Sequence, residues 1–476
     1  MDYTTLAATV CTGLALFLAA RPFVIVPPEL RHLPRVPVLP LLWSYLTVEA
    51  EDKRLRRLVL PFLNEKGEEV VLVWALGRWM VHILDHKLAT EVFADIDRFP
   101  KEDPPDDLLL WRLIGRNNIL LSNGDKWRMH SKVIRNAINQ TIPVAQFAAL
   151  SRRVFSVFGP GESIQRFDDM SQRFALDAVG TTAFGYNFDA IAHESEFVHN
   201  YNHIMHGIAN PLYLIVPLLE RIIPRRALKK SMDVLTDGFQ EMLANKRDDP
   251  GNDMLTNMLR EVKLNDREIR DNMILLFIAG HDTSAGGISS LVYLLAKHPE
   301  LQERARKEVM SVLGATGEPT LENVQQMPYL MSCSREALRI NTPISYVVAR
   351  AADTPVKLGR YTVPARASLI VNMYAIHHDE RHWPNAYEFD PDRFPKGGLG
   401  PSGVAWMPFG GGPRQCPARA FALNEQMVLS SMLLREYEWS LPEGSPHKDT
   451  VQNAFSPFAL SLPHNLDIRF AKIQPK

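Results

Sequence analysis

From Asn265 to Lys297 the chain keeps one helical register, and this stretch limits the possible folds more than any other. Asn265 can act as an N-cap, and Glu268 stands three residues on, the spacing of a capping box. Pro299 follows the far end. At 1.5 Å per residue the helix would be roughly 48 Å long. It contains Gly280, Gly286 and Gly287, each costly in an ordinary helix. Around it, EEVVLVW (68–74) reads as a strand, rich in β-branched residues. Most of the chain from Lys87 to Leu338 reads as helices. From Ala349 to Pro395 the texture changes to short β and turn material, and a final helix follows Cys416. No internal repeat, low-complexity tract or linker breaks the pattern. The expectation is one large, mainly α unit with a smaller β-rich part.

Length alone, 476 residues, would suggest about three domains, but that prior is soft. The hydrophobic share of 46 % supports a sizeable core. With 53 Lys and Arg against 54 Asp and Glu, no basic excess points to nucleic acid. Three cysteines, Cys11, Cys333 and Cys416, are too few and scattered for a disulfide framework or a zinc site. A reducing compartment fits. The N-terminus differs from the rest. Residues 6–20 read LAATVCTGLALFLAA, without charge, and FVIV continues to Val26 after Arg21-Pro22. A bilayer span needs about 20 apolar residues, so this segment suffices if Arg21 snorkels. No basic stretch precedes it and no small-residue cleavage site follows, which argues against a signal peptide. The next fourteen residues, PPELRHLPRVPVLP, contain five prolines. The division expected is a membrane anchor over 1–26, a stiff proline-rich hinge over 27–40 and a body over 41–476.

The stretch FGGGPRQCPARAFA (409–422) carries the chemistry. A thiolate is a soft ligand for iron, but a free cysteine needs help to ionise. A helix beginning near Pro417 would turn its positive end toward the sulfur. Pro417 suits a first helical position. Gly410, Gly411 and Gly412 allow a tight turn close to a flat ligand. Arg414 can pair with a carboxylate of that ligand, and Phe409 can shield the sulfur. No Lys-Ser/Thr follows the glycines, so this is not a phosphate loop.

This stretch resembles the haem-binding signature of the cytochrome P-450 family, Phe-x-x-Gly-x-Arg-x-Cys-x-Gly. Phe409, Gly412, Arg414 and Cys416 match it, and Ala418 stands where the family usually has Gly. The resemblance implies Cys416 as axial ligand of the iron in haem b and Arg414 as a partner of a haem propionate. AGHDTS (279–284) matches the family's Ala-Gly-x-Asp-Thr motif within the long helix. There a Thr hydroxyl ordinarily bonds back to the carbonyl four residues earlier. By the resemblance Ala279 and Gly280 adjoin the haem, while Asp282 and Thr283 manage protons for dioxygen activation as a general-acid relay. EALR (336–339) matches Glu-x-x-Arg. Glu336 and Arg339 share a helix face, and Arg393 in FDPDRF is expected to join them in a structural charge network. Arg350 in VVAR falls where the family has another propionate partner. GDKWRMHSK (124–132) resembles the Trp-x-x-x-Arg helix, with Trp127 in place and Ser131 where Arg is usual. These motifs run from Trp127 to Cys416 in the family's order. The anchor is similar to that of membrane-bound eukaryotic members, of fungal type.

The resemblance implies a cytochrome P-450 fold with an N-terminal transmembrane helix. It implies a haem-thiolate monooxygenase that inserts one oxygen atom from O2 into a lipophilic substrate. No dinucleotide or flavin unit is legible, so electrons would come from an NADPH-cytochrome P-450 reductase, docking near Arg414 and Arg419. The location implied is the endoplasmic reticulum membrane, with a single-pass anchor and a cytosolic catalytic domain. Family geography places substrate against DDLLLWRLIG (106–115), ANPLYLIVPLL (209–219), ISYVV (344–348) and NAFSPF (453–458). Their apolar character suggests a terpenoid, steroid or polyketide of secondary metabolism. The alternatives are a haem-thiolate isomerase or dehydratase, which needs no outside electrons, and a non-catalytic haem sensor. A cysteine hydrolase is remote, because no Cys/His signature accompanies Cys416.

Overall fold

The computed structural model describes residues 25–138, 142–193, 196–261, 263–398, 405–456 and 458–474. The expected anchor lies outside them except for its last two residues. No helix among the described residues is long and apolar enough to cross a membrane. The elements that position the site are six helices: α1 (Gly124–Ile138), α2 (Phe167–Val179), α3 (Glu196–Ile208), α4 (Asp266–Lys297), α5 (Pro328–Ile340) and α6 (Arg419–Glu436).

Helix α4 is the expected long helix, and its 32 residues are the axis of the body. Its start has the expected cause. The Asn265 side chain accepts from the Glu268 N–H, and the Glu268 carboxylate accepts from the Asn265 N–H, closing a capping box. From Ser284 to Ala296 every residue is buried. A helix hidden on all sides needs small residues where neighbours come close, and the three glycines stand at those places. A Cβ at Gly280 would lie 2.9 Å from Val179 of α2. One at Gly286 would come 2.5 Å from Leu462, and one at Gly287 would come 3.2 Å from Leu338 of α5. The roughly 1 kcal/mol each costs against alanine is offset by that close packing. Ser171 of α2 and Ser289 of α4 join by a 2.6 Å hydrogen bond inside the contact. Helix α6 packs on α4 as well, where Gln426 donates to the Gly287 carbonyl at 3.0 Å.

The β-rich part forms one wall. Strand Val70–Ala75 pairs antiparallel with Arg78–Ile83, and the latter pairs parallel with Leu369–Val371. The first of these begins two residues later than the sequence expectation and is buried along its whole length. The proline-rich stretch 27–40 departs from its expected role as a spacer. Leu30, Leu33 and Val36 are buried in the same core as this sheet, and the Val36 N–H bonds the Leu72 carbonyl. From Val38 the chain is helical. Apolar side chains placed between the prolines draw the segment into the body, so it is not a free hinge.

Candidate active site

Cys416 sits at the floor of a cavity of about 1610 Å³. Its N–H bonds the Phe409 carbonyl at 2.9 Å, closing the glycine turn over the sulfur's own loop. Gly412 has φ +64, and a Cβ there would overlap the Phe93 carbonyl, so only glycine fits. Phe409 packs edge-on to Trp406, and Arg419 lies over its ring at 5.8 Å. The helix after the sulfur starts later than expected. Pro417 and Ala418 form a turn, Ala418 has ψ 16, and α6 begins at Arg419. The sulfur therefore meets the Ala418 N–H rather than an N-terminal helical turn opened by Pro417. Burial pushes the Cys416 thiol above its ordinary value, while the Ala418 hydrogen bond, Arg135 and Arg419 pull it down. Arg135 of α1 also donates to the carbonyls of Pro413 and Gln415 at 2.9 and 3.2 Å, clamping the loop.

Beside this floor lies a buried knot of positive charge. Arg414 donates to the Ser122 carbonyl at 2.7 Å and to Asn123 Oδ1 at 2.9 Å. Its guanidinium lies 4.7 Å over the Trp127 ring. Its Nε and Nη1 are buried and have no partner. Burial and the charge of Arg350 hold it down to about 10. Arg350 is 3 % exposed and its Nη1 donates to the Phe99 carbonyl at 2.9 Å, and burial holds it to about 10 also. Lys101, 6 % exposed, belongs to the same knot, and its Nζ bonds the Val348 carbonyl at 2.9 Å. Burial, then Arg350 and Arg414, push it well below the usual lysine range. The carboxylate that acts on Arg414 is Asp97, already held twice by Arg128. Such a knot is stable only with anionic groups set against it. The two propionates of a haem would meet that need, and the glycine turn leaves space for a flat ring, so the residues fit a haem. Sequence reasoning missed Lys101, because a lysine before an ordinary loop carries no motif.

The cavity's other wall is α4. The Thr283 hydroxyl donates to the Ala279 carbonyl at 2.7 Å, the expected back-bond, and α4 stays regular there. Ala279 and Gly280 both line the cavity, and a Cβ at Gly280 would also lie 2.9 Å from Val179. Asp282 accepts from the Tyr201 hydroxyl of α3 at 2.8 Å through Oδ2, and its Oδ1 lies 3.2 Å from His281 Nε2. Behind Thr283, Glu425 of α6 is fully buried. Burial pushes it up to about 8, against the opposing pull of the Ser284 side chain, and among the described residues neither carboxylate oxygen has a hydrogen-bond partner.

The structural trio forms away from the cavity. Arg339 holds Glu336 with two bonds, 2.7 and 2.8 Å, and gives a third N–H to the His377 carbonyl. Arg393 Nε lies 3.3 Å from Glu336 Oε1. His130, next to Ser131, turns away toward Asn272, with a 2.9 Å contact at Nδ1. Ser131 meets Arg135, 3.1 Å from its Nε.

The expected substrate segments divide. Leu110, Trp111, Ile114, Ile344, Tyr346, Val347, Val348 and Phe458 line the cavity. Ala209–Leu219 supplies none of its walls; Leu214 packs inward while Leu212, Val216 and Leu218 face out. Phe455 packs on Tyr45 instead.

A helical body with a cysteine under an apolar cavity and cations waiting for acids defines a protein made to hold an iron porphyrin. The profile of the family Cytochrome P450 matches residues 34–466. The chain belongs to the cytochrome P450 family, monooxygenase oxidoreductases that bind haem b and use a redox partner, O2 and small lipophilic substrates. It is similar to "Cytochrome P450 4A24" of Sus scrofa, 29% identical over 418 residues, 80% of this chain and 81% of that one. It is similar to "Cytochrome P450 4c21" of Blattella germanica, 28% identical over 446 residues, 86% and 88% of the two chains. A shorter match, 40% over 177 residues, covers 37% of this chain and 34% of "Taurochenodeoxycholic 6 alpha-hydroxylase" of Sus scrofa. The crystal structure of the cytochrome P450DA heme domain superposes with a TM-score of 0.78 over 93% of this chain and 97% of its own, at 22% identity.

Proposed function

We propose that the protein is a haem-thiolate monooxygenase in which Cys416 is the iron ligand. The observation that carries this reading is the placement of one cysteine sulfur below a wide cavity, beside buried cations with no acid of their own. When bound, haem supplies the redox chemistry by which dioxygen is cleaved and one oxygen atom reaches the substrate. The residues around it do the rest. Arg350, Arg414, Lys101 and Trp127 would hold the propionates, with Lys101 supplying the charge that Ser131 does not. Gly412 and Phe409 shape the sulfur's loop, and the Ala418 N–H stabilises the thiolate. Ala279 and Gly280 form the wall beside the ring. Asp282 and Thr283 hold and pass protons into the cavity. Glu336, Arg339 and Arg393 keep the floor rigid.

The cavity is lined mainly by aliphatic and aromatic side chains, which suits a bulky lipophilic substrate such as a terpenoid, steroid or polyketide of secondary metabolism. The redox partner in this reading is an NADPH-cytochrome P-450 reductase. The location is the endoplasmic reticulum membrane, with residues 1–26 as anchor and the remainder, 27–40 included, as the cytosolic body. An apolar face supports it. Leu39, Trp43 and Leu46 are exposed on the helix Val38–Leu46, which packs beside Pro211–Ile215, and Leu212, Val216, Ile222 and Ile223 are exposed near that contact. The fungal affiliation belongs to this proposal too, although the relatives named above come from pig and cockroach.

The test is the ferrous carbonyl spectrum of the undenatured protein. A Soret band displaced far to the red marks thiolate ligation and is expected; its absence, or its survival in Cys416→Ser, overturns the assignment. Blue shifts of the resting Soret band across terpenoids, steroids, polyketides and taurochenodeoxycholate then sort the substrate class.

A further inference from the structure

Tyr201 lies in α3, 81 residues before Asp282, and no sequence motif connects them. It is 2 % exposed, yet its hydroxyl is placed on the carboxylate that precedes Thr283. His281 completes the arrangement. Its Nδ1 is 2.6 Å from the Phe277 carbonyl. A carbonyl only accepts, so Nδ1 carries the hydrogen. Its Nε2 faces Asp282 Oδ1 at 3.2 Å, and two lone pairs would repel there. One further proton must therefore sit between Nε2 and Oδ1. Burial disfavours charging both groups, but their attraction prevails: His281 is raised above its ordinary value, and Asp282 is held below its own, with help from Tyr201. Tyr201 is itself raised well above its ordinary value by burial and by Asp282, so it remains a donor.

The rings of Phe277, Phe239 and Phe197 fill the space around Tyr201 and His281, with Tyr201 edge-on to Phe277 at 5.2 Å. Lys246, on the facing helix Arg226–Asp248, lines the same cavity but is paired with Asp253 at 3.0 Å. Asp282 thus has both oxygens occupied, one by a group on α4 and one by a group on α3.

We infer that Tyr201 and His281 are positioning residues for Asp282, which hold one proton beside it and tie proton supply to the placement of α3. The inference rests on the relay reading of Asp282 given above. In it, the proton on Nε2 passes to Oδ1 and then leaves Asp282 for the cavity. What remains is a neutral imidazole beside a carboxylate, until water returns a proton to Nε2.

The experiment uses the haem-loaded protein with an NADPH-dependent reductase and no added substrate. Dioxygen consumed is divided between hydrogen peroxide and water, in light and heavy water, from about pH 5 to about pH 8. In Tyr201→Phe the carbonyl spectrum is expected to be unchanged, while the peroxide share rises several-fold. The acid limb of the profile moves to higher pH, because Asp282 loses a bond that lowers it. The solvent isotope effect grows, and none of these changes recurs when Tyr201→Phe is added to Asp282→Asn. His281→Asn moves the same readouts. If Asp282→Asn is impaired and Tyr201→Phe matches wild type throughout, the positioning inference fails alone. If Asp282→Asn itself matches wild type, the relay reading fails and takes the inference with it.

Discussion

Two buried clusters of positive charge lie in this molecule, and they differ in what faces them. Arg339 is fully buried and has every charged neighbour it needs: Glu336 takes two of its N–H groups and the His377 carbonyl a third. Arg414, Arg350 and Lys101 crowd together with backbone carbonyls and an amide oxygen for company, and two buried nitrogens of Arg414 have no partner. The first cluster has its own carboxylate within the protein and acts as a staple. The second is complete only with an acid from outside and so marks a ligand site. Burial is alike in both, and each leaves a guanidinium nitrogen without a hydrogen bond, Arg393 Nε in the first and Arg414 Nε and Nη1 in the second; the Glu336 carboxylate inside the first cluster separates them.

The strongest way to break this contrast is at Glu336. Glu336→Gln leaves Arg339 and Arg393 facing a neutral group, and a loss of about 3–5 kcal/mol is expected in denaturant unfolding. If stability barely changes, the trio is no staple. Lys101→Met sharpens the opposite case. It removes a buried cation that no acid among the described residues pairs with, so the haem-free protein should gain about 1–3 kcal/mol. Haem retention, followed by transfer to an acceptor globin, should weaken about tenfold, or 1.4 kcal/mol. A mutant that loses both would place Lys101 with the staple instead.

Glu425 is the mirror image, a buried carboxyl with no cation. Its folded value of about 8 stands above the ordinary 4.5. Between those values the unfolded chain has released the proton and the folded one has kept it. Stability therefore falls as pH rises through that window and levels off above it. Glu425→Gln is expected to match wild type near pH 4 and to exceed it by about 1–3 kcal/mol near pH 8, read from thermal unfolding at each pH. The smallest effect is the control. Arg304 and Asp392 form a two-bond pair, 2.8 and 2.9 Å, with half or more of each side chain in solvent. Arg304→Met should cost under about 1 kcal/mol and fade with salt.

The legible parts of this protein are those whose cause is local. The Asn265–Glu268 cap, the Thr283 back-bond and the Glu336–Arg339 pair need only residues three or four apart on one helix, and each is found as expected. The misreadings share a different origin. Pro417 satisfies a helix-start rule, but the chain must first turn past the sulfur, so α6 opens at Arg419. The prolines of 27–40 suggested a spacer, and the apolar residues between them are core. Ala209–Leu219 is apolar enough to face a substrate but lies outside the cavity wall.

From its order of residues alone, the chain determined a long capped helix at its centre, a lone cysteine on a glycine turn, and an acid–alcohol pair on that helix. Such features depend on backbone geometry over a few residues, which sequence spacing measures directly. Only the tertiary structure decided which charges meet. Lys101 joins Arg350 across 249 positions through an isolated β-bridge, and Tyr201 reaches Asp282 across 81. An electrostatic partnership depends on distance and burial in space, and neither is encoded in how far apart two residues lie along the chain.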